Sequence, residues 1–266
     1  MLTGISIPTI LDPFMGKSAF YNSTMISRFF CPPPLPENQD FELPADVAHH
    51  AERVLRLRPG DSLVLFDGEG GEVPGILVAV GKSARARLAE RRSGDRESPI
   101  RITLVQALAS GDKMDLIIQK AVELGAAAVI PVVAERSVLK LSAERAEKRL
   151  AHWRQVVVSA SEQCGRNRLL QLAPVLSLEA YLGSQATGVT RLALVPGEGE
   201  RLIDMRDPGS GDTHVLVGPE GGWSERELAA ICRAGCRPVT LGPRILRTET
   251  AGLAALAAAQ AVWGDF

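Results

Sequence analysis

No stretch of this sequence approaches the ~18 consecutive apolar residues of a membrane-spanning helix. Residues 1–21 are moderately apolar, but Pro8, Asp12 and Pro13 interrupt them and no basic segment precedes an apolar core, so a signal peptide is not expected. Cysteine is sparse. Cys31, Cys164, Cys232 and Cys236 form no C-x-x-C pair and have no histidines at ligand spacing, which argues against a zinc site and a disulfide framework and makes a reducing cytoplasm the simplest compartment. Net charge is nearly absent as well: at −1 for the whole chain, no global field draws in a polyanion, and any nucleic-acid contact rests on local patches. Neither the G-x-G-x-x-G dinucleotide fingerprint nor a P-loop with its lysine occurs. Aromatics make up only 5%, and 45% of the 266 residues are hydrophobic, the composition of a soluble α/β protein with a sizeable core in one large or two modest domains.

Residues 1–24 read as a loose extension, with Met25 an alternative start. From there to residue 97, short strand-like runs (62–66, 75–80 and 84–88) alternate with Gly-rich turns around one helix over 45–57, the pattern of a small β-rich domain. The polar stretch 90–98 has linker composition. Beyond it, from residue 98 to 266, strands and helices alternate as in βαβ units with a buried parallel sheet. Asp112 is placed to cap a helix whose Met114, Ile117, Ile118, Ala121 and Val122 share one face, and Ser142 to open a long helix striped by Leu150, Trp153 and Val157. Ser224 and Glu227 form a capping box, and Thr248 is expected to cap a final alanine-rich helix over 249–263 that permits close approach, including to a partner subunit.

Two glycine-proline loops, residues 215–222 and 240–250, each follow an apolar run and open a helix. In parallel α/β sheets, loops beyond the carboxyl ends of strands collect ligand-binding groups. Glu220, in the middle of the first loop, would repel a pyrophosphate, so an uncharged or cationic nucleoside-like ligand fits better.

The strings LVGPEGGWSERE (216–227) and LGPRILRTETAGLAAL (241–256), with DKMDLIIQKAVELGAAAVIPVVAERSV (112–138) and SEQCGR (161–166) upstream, resemble the RsmE family of small-subunit (16S) ribosomal RNA uracil-N3 methyltransferases in the SPOUT superfamily. Ser27 to Phe30 and His49 to Arg56 also match the family's pattern. The resemblance implies a PUA-like β-barrel RNA-binding domain over 25–97 and a SPOUT α/β domain over 98–266, with a parallel sheet whose C-terminus forms a deep trefoil knot. It also implies S-adenosyl-L-methionine bound by a homodimer acting on 16S ribosomal RNA in the small subunit, with no membrane and no metal. Cofactor contacts implied by it are Leu194, Val195, Pro196, Val217, Gly218, Glu220, Gly221, Gly222, Leu241, Gly242, Ile245, Leu246 and Arg247. Catalytic candidates are Arg247, as electrostatic partner of the developing uracil anion, with Glu220 and Glu249; RNA contacts are Arg28, Arg53, Arg56, Arg136 and Arg166. Ser110 stands where the family usually has lysine, and residues 164–172 lack the expected proline.

Blander roles stand beside these. Glu249 also suits a helix N-terminus, Glu123 and Arg136 could pair structurally, His49 and His50 leave a helix on different faces, and the basic excess over 136–168 is by default a solvated helix face. A non-catalytic RNA-binding assembly factor of the same fold is the alternative to an enzyme, and a dinucleotide-dependent oxidoreductase is disfavoured by Glu220.

Overall fold

Short apolar runs become strands here, and the periodic segments between them become helices. The computed structural model describes residues 26–81, 83–94, 96–138, 142–184, 188–206 and 211–266; the expected extension over 1–24, Met25 and Lys140 lie outside the described residues.

Strands β1 (Ser27–Phe30), β2 (Asp40–Glu42), β3 (Ser62–Phe66), β4 (Val73–Ala79) and β5 (Arg85–Leu88) form a five-stranded sheet in the order β1-β3-β4-β5-β2. β1 and β3 run parallel and the other pairs antiparallel. Period-two alternation is visible in β5, where Ala86 and Leu88 turn inward and Arg85 and Arg87 outward. The helix expected over 45–57 is shorter: α1 (Ala45–His49) passes into a π-helical turn, His50–Val54, with the Leu55 amide bonded to the His50 carbonyl at 3.0 Å. The polar stretch expected as a linker is strapped down. Arg92 and Glu72 exchange both backbone hydrogen bonds, at 2.8 and 2.9 Å, and Arg91 Nη2 donates to Asp67 Oδ2 at 2.6 Å.

The second sheet is built from β6 (Ile102–Ala107), β7 (Ala128–Val133), β8 (Gln171–Leu172), β9 (Leu176–Ser177), β10 (Thr190–Leu194), β11 (Glu200–Arg201), β12 (Thr213–Val217) and β13 (Arg237–Thr240). All its pairs are parallel, in the order β11-β13-β10-β12-β6-β7-β8, with β9 also on β7. Helices α2 (Lys113–Glu123), α3 (Ala143–Cys164) and α6 (Thr248–Trp263) cover one face through Ile117, Trp153 and Leu256. Helices α4 (Leu178–Gly183) and α5 (Glu225–Arg233) cover the other through Tyr181 and Ile231. Being covered on both sides is why β6 is buried at all six positions. Ser142 caps α3 as expected, accepting from the Arg145 amide at 3.4 Å, whereas Asp112 precedes α2 without a side-chain cap bond. Trp153 Nε1 of α3 donates to Asp115 Oδ1 of α2 at 3.0 Å.

The last strand, β13, lies between β10 and β11, which the short segment 195–199 joins. Leu194 and Glu200 both stand level with Val239, so the connection passes across β13 and returns beside it. The Val195 amide bonds the Val239 carbonyl at 3.0 Å. Gly199 has φ +80°, and any Cβ there would collide with the Pro238 carbonyl, so only glycine permits this crossing.

Two arginines expected on the RNA surface are committed inside the protein, Arg28 between the small sheet and Asn167, and Arg166 between Glu97 and the end of α2. Arg28 is largely buried: Nη1 donates to Glu72 Oε2 at 2.7 Å, Nη2 bonds Asn167 Oδ1, and the guanidinium lies 5.4 Å from the Phe66 ring centroid. Arg166, only 5% exposed, donates to Glu97 through Nε and Nη2 and to the Val122 and Ala126 carbonyls through Nη1, at 3.0 and 2.9 Å. Both guanidinium groups are committed to acceptors in the interior and not to a polyanion, as the cost of desolvating a charge demands. Arg166→Met removes the cation these acceptors share, and urea titration is expected to show a loss of about 3–5 kcal/mol; an unchanged midpoint contradicts the structural role.

Candidate functional site

The carboxyl ends of three adjacent strands, β13, β10 and β12, open on one side of the sheet. The first loop leaves β12 at Val217 and reaches α5 through a capping box: the Ser224 amide bonds Glu227 Oε2 at 2.9 Å and the Glu227 amide bonds Ser224 Oγ at 3.1 Å. The second carboxylate oxygen of Glu227 takes the Glu135 amide at 2.8 Å, so the exit of β7 is tied to the same turn. Arg136 grips the loop from that side, with Nη1 donating to the Gly221 carbonyl at 3.0 Å and to the Trp223 carbonyl at 3.4 Å. A Cβ on Gly221 would lie 2.9 Å from that of Arg136, which is the close approach that glycine allows.

The second loop leaves β13 and enters α6. Thr248 does not cap this helix: Arg247 holds the capping position without a side-chain bond, and Thr248 is the first helical residue. Its hydroxyl donates to the Gly218 carbonyl at 2.6 Å and accepts from Gln106 Nε2 at 2.9 Å. Gln106 is wholly buried on β6, so a polar chain runs from the centre of the sheet through α6 to the first loop. Such mutual bonding ties the first loop to α6 and to the sheet.

These loops and the end of β10 enclose a cavity of 470 Å³, within the range of nucleoside-sized sites. Leu194, Val195 and Pro196, Val217, Gly218, Glu220, Gly221 and Gly222, and Leu241, Gly242, Ile245, Leu246 and Arg247 all line it. Trp223, Thr248 and Lys113 line it too and were not among the expected residues. Ile245 is 83% exposed at the mouth.

Two carboxylates border the cavity. Glu220 Oε1 accepts the Ser110 amide at 2.9 Å, the Ser110 hydroxyl at 2.7 Å and Lys113 Nζ at 3.0 Å. Partial burial pushes its pKa up, but the bonds from Ser110 and Lys113 outweigh that and hold it at about 2. Such a carboxylate is a weak proton acceptor, and its bonds to Ser110 and Lys113 make it an anchor for the first loop. Glu249 Oε2 is 3.6 Å from Lys113 Nζ and shielded from solvent. Arg244 and Arg247, by contrast, are exposed at the rim, and their side chains have no hydrogen-bond or ion-pair partner among the described residues.

The five expected RNA contacts are not brought together. Arg28 and Arg166 are inside, Arg136 serves the first loop, and Arg53 and Arg56 are exposed beside α1. Glu123 pairs with Lys120 at 2.8 Å and not with Arg136. His50 packs edge-on against Phe29 at 5.7 Å. No helix among the described residues is long and apolar enough to cross a membrane.

A family model described as an RNA methyltransferase domain matches residues 96–260, and one described as an RNA methyltransferase PUA domain matches residues 43–85. The ribosomal RNA small subunit methyltransferase E of Mycobacterium bovis is 38% identical over 220 residues, 80% of this chain and 83% of that protein. Its counterpart from Bacillus subtilis is 32% identical over 231 residues, 84% of this chain and 90% of that protein. Among solved structures, a ribosomal RNA small subunit methyltransferase E from Neisseria gonorrhoeae bound to S-adenosyl methionine is similar with a TM-score of 0.85 and 43% identity, covering 91% of this chain and 99% of that one.

The anchoring of Glu220 has a signature in acid. Its pKa is about 2 folded against an ordinary value of 4.5, so its stabilising contribution is complete above pH 4.5 and is lost as pH falls through about 2. Glu220→Gln is expected to be less stable than the parent at neutral pH, with the gap closing as the pH falls through that window; urea midpoints measured from pH 7 downward check this, and a gap independent of pH refutes it.

Proposed function

Because the chain belongs to the ribosomal RNA small subunit methyltransferase E family, whose members are S-adenosylmethionine-dependent ribosomal RNA methyltransferases, we propose that it methylates N3 of one uridine in 16S RNA of the small subunit or its assembly intermediate. The observation that carries this reading is the convergence of three strand-end loops on one cavity, bordered by carboxylates and rimmed by two uncommitted arginines. The residues present suit the cofactor: apolar walls from Leu194, Val217 and Leu246 can take a purine, backbone amides its polar edge, and anchored carboxylates tolerate a cationic centre where they would repel a phosphate. When bound, the cofactor supplies an electrophilic methyl group on a positive sulfur.

The protein's share is positioning and electrostatics. A single displacement at a ring nitrogen needs alignment in a water-poor pocket, and the bonded loops provide a preformed one. Uridine N3 carries a proton that must pass to water as the N3–methyl bond forms and the sulfur–methyl bond breaks, and negative charge spreads over the pyrimidine as that proton leaves. Of the three catalytic candidates, Glu220 and Glu249 share Lys113, while the charge of Arg247 is uncommitted, which favours Arg247 as the group that stabilises the pyrimidine anion.

The finer architecture belongs to the same proposal. The passage of residues 195–199 across β13 supports a SPOUT-type deep trefoil knot, and the exposed Val262 and Phe266 beside the alanines of α6 support a homodimer. A PUA-like barrel over 25–97 would present Arg53 and Arg56 to RNA, with the methyltransferase domain over 98–266, in the cytoplasm. Ribosomal RNA from a deletion strain is expected to lack one N3-methyluridine by mass spectrometry. Complementation with Arg247→Ala is expected to restore it at a rate lower by about 10²–10³; restoration at full rate removes Arg247 from catalysis, and an unchanged RNA overturns the substrate.

A further inference from the structure

Three separate segments meet at Lys113, the first residue of α2. Its ammonium is 3.0 Å from Glu220 Oε1 on the first loop and 3.6 Å from Glu249 Oε2 in the first turn of α6. Ser110, just upstream, gives its amide and hydroxyl to the same oxygen of Glu220. Glu249 Oε2 is shielded from solvent and within hydrogen-bond reach of no donor among the described residues, and its ion pair among them is with Lys113. The first loop and the start of α6 both line the cavity and touch through the Thr248 hydroxyl on the Gly218 carbonyl, and each carries a carboxylate beside one ammonium. Without that ammonium the two carboxylates would repel each other and strain that contact.

We propose that Lys113 is a positioning residue for S-adenosylmethionine: by holding Glu220 and Glu249 to one ammonium, it fixes the first loop against α6 at the spacing the cofactor requires. The inference rests on the methyltransferase reading above. It needs no contact between Lys113 and either cofactor or RNA, since the effect is transmitted through the two carboxylates. Ser110 is the second half of the clamp, holding Glu220 from the α2 side.

The test is calorimetric titration of the full-length chain with S-adenosylmethionine. Lys113→Met keeps the stem and removes the charge, and is expected to weaken binding about tenfold, the size of a close-contact coupling. Lys113→Arg restores a cation and is expected to bind within about threefold of the parent. The decisive variant is Lys113→Met with Glu249→Gln: removing the opposing charge is expected to recover most of the lost affinity, which a packing role for Lys113 would not do. Should Lys113→Met fail to fold, Ser110→Ala carries the test, with an expected loss of about threefold from one missing hydrogen bond. Parent-like binding by Lys113→Met, or by Ser110→Ala in its place, overturns the proposal, as does a double variant that binds no better than the single one. A parent chain that binds no S-adenosylmethionine overturns the methyltransferase reading itself, an outcome distinct from normal parental binding with unaffected variants.

Discussion

The position of β13 between β10 and β11 is the constraint on which the rest of the structure depends. The sheet could have added its last strand at an edge; placing it inside makes β13, β10 and β12 consecutive neighbours and therefore puts their three exits side by side. The pocket walls, the glycine at 199 and the route of the chain into α6 all follow from that order. A parallel sheet also demands cover on both faces, which α2, α3 and α6 supply on one side and α4 and α5 on the other.

Polar groups then decide how rigid the exits are. Gln106 and Thr248 bind the first loop from the core, Arg136 from the β7 side, and Ser110 with Lys113 from the α2 side. Each reaches a different part of the loop, so no single contact defines its shape. The arginines divide by burial into two kinds. Arg28 and Arg166 have acceptors for their charge, Arg28 tying the small sheet to Asn167 of the large domain and Arg166 tying Glu97 to the end of α2, while Arg244 and Arg247 meet water at the rim and keep their charge available.

Much of this was legible in the sequence, for reasons that differ by element. Apolar runs such as 62–66 and the Ser224 and Glu227 capping box are local signals, and they formed as expected. The lining of the cavity was legible through family motifs; periodicity alone indicated loops and a ligand crevice. Tertiary partners were illegible. Arg166 looked like one more charge in a basic stretch because Glu97, Val122 and Ala126 lie tens of residues away in the chain. Thr248 looked like a cap because sequence shows the helix behind it and not the Gly218 carbonyl beside it. Lys113 gave no signal beyond its place at the start of a helix, and Ser110 stood out only as a departure from the family's lysine.

Chain synthesis runs from the N-terminus, so domains begin to organise before their last residues exist. In this protein the small sheet, β6, β7 and the first loop precede β13, and the segment 195–199 lies around a strand that emerges after it. Nearly all of the hydrophobic interior is therefore available to a nascent chain that still has no ligand site. A truncated product lacking β13 and α6 would carry a partly covered sheet, with Leu104, Leu192 and Val215 deprived of the helix that packs over them. For the cell, the segment that encodes β13 and α6 completes both the ligand pocket and the cover of the sheet.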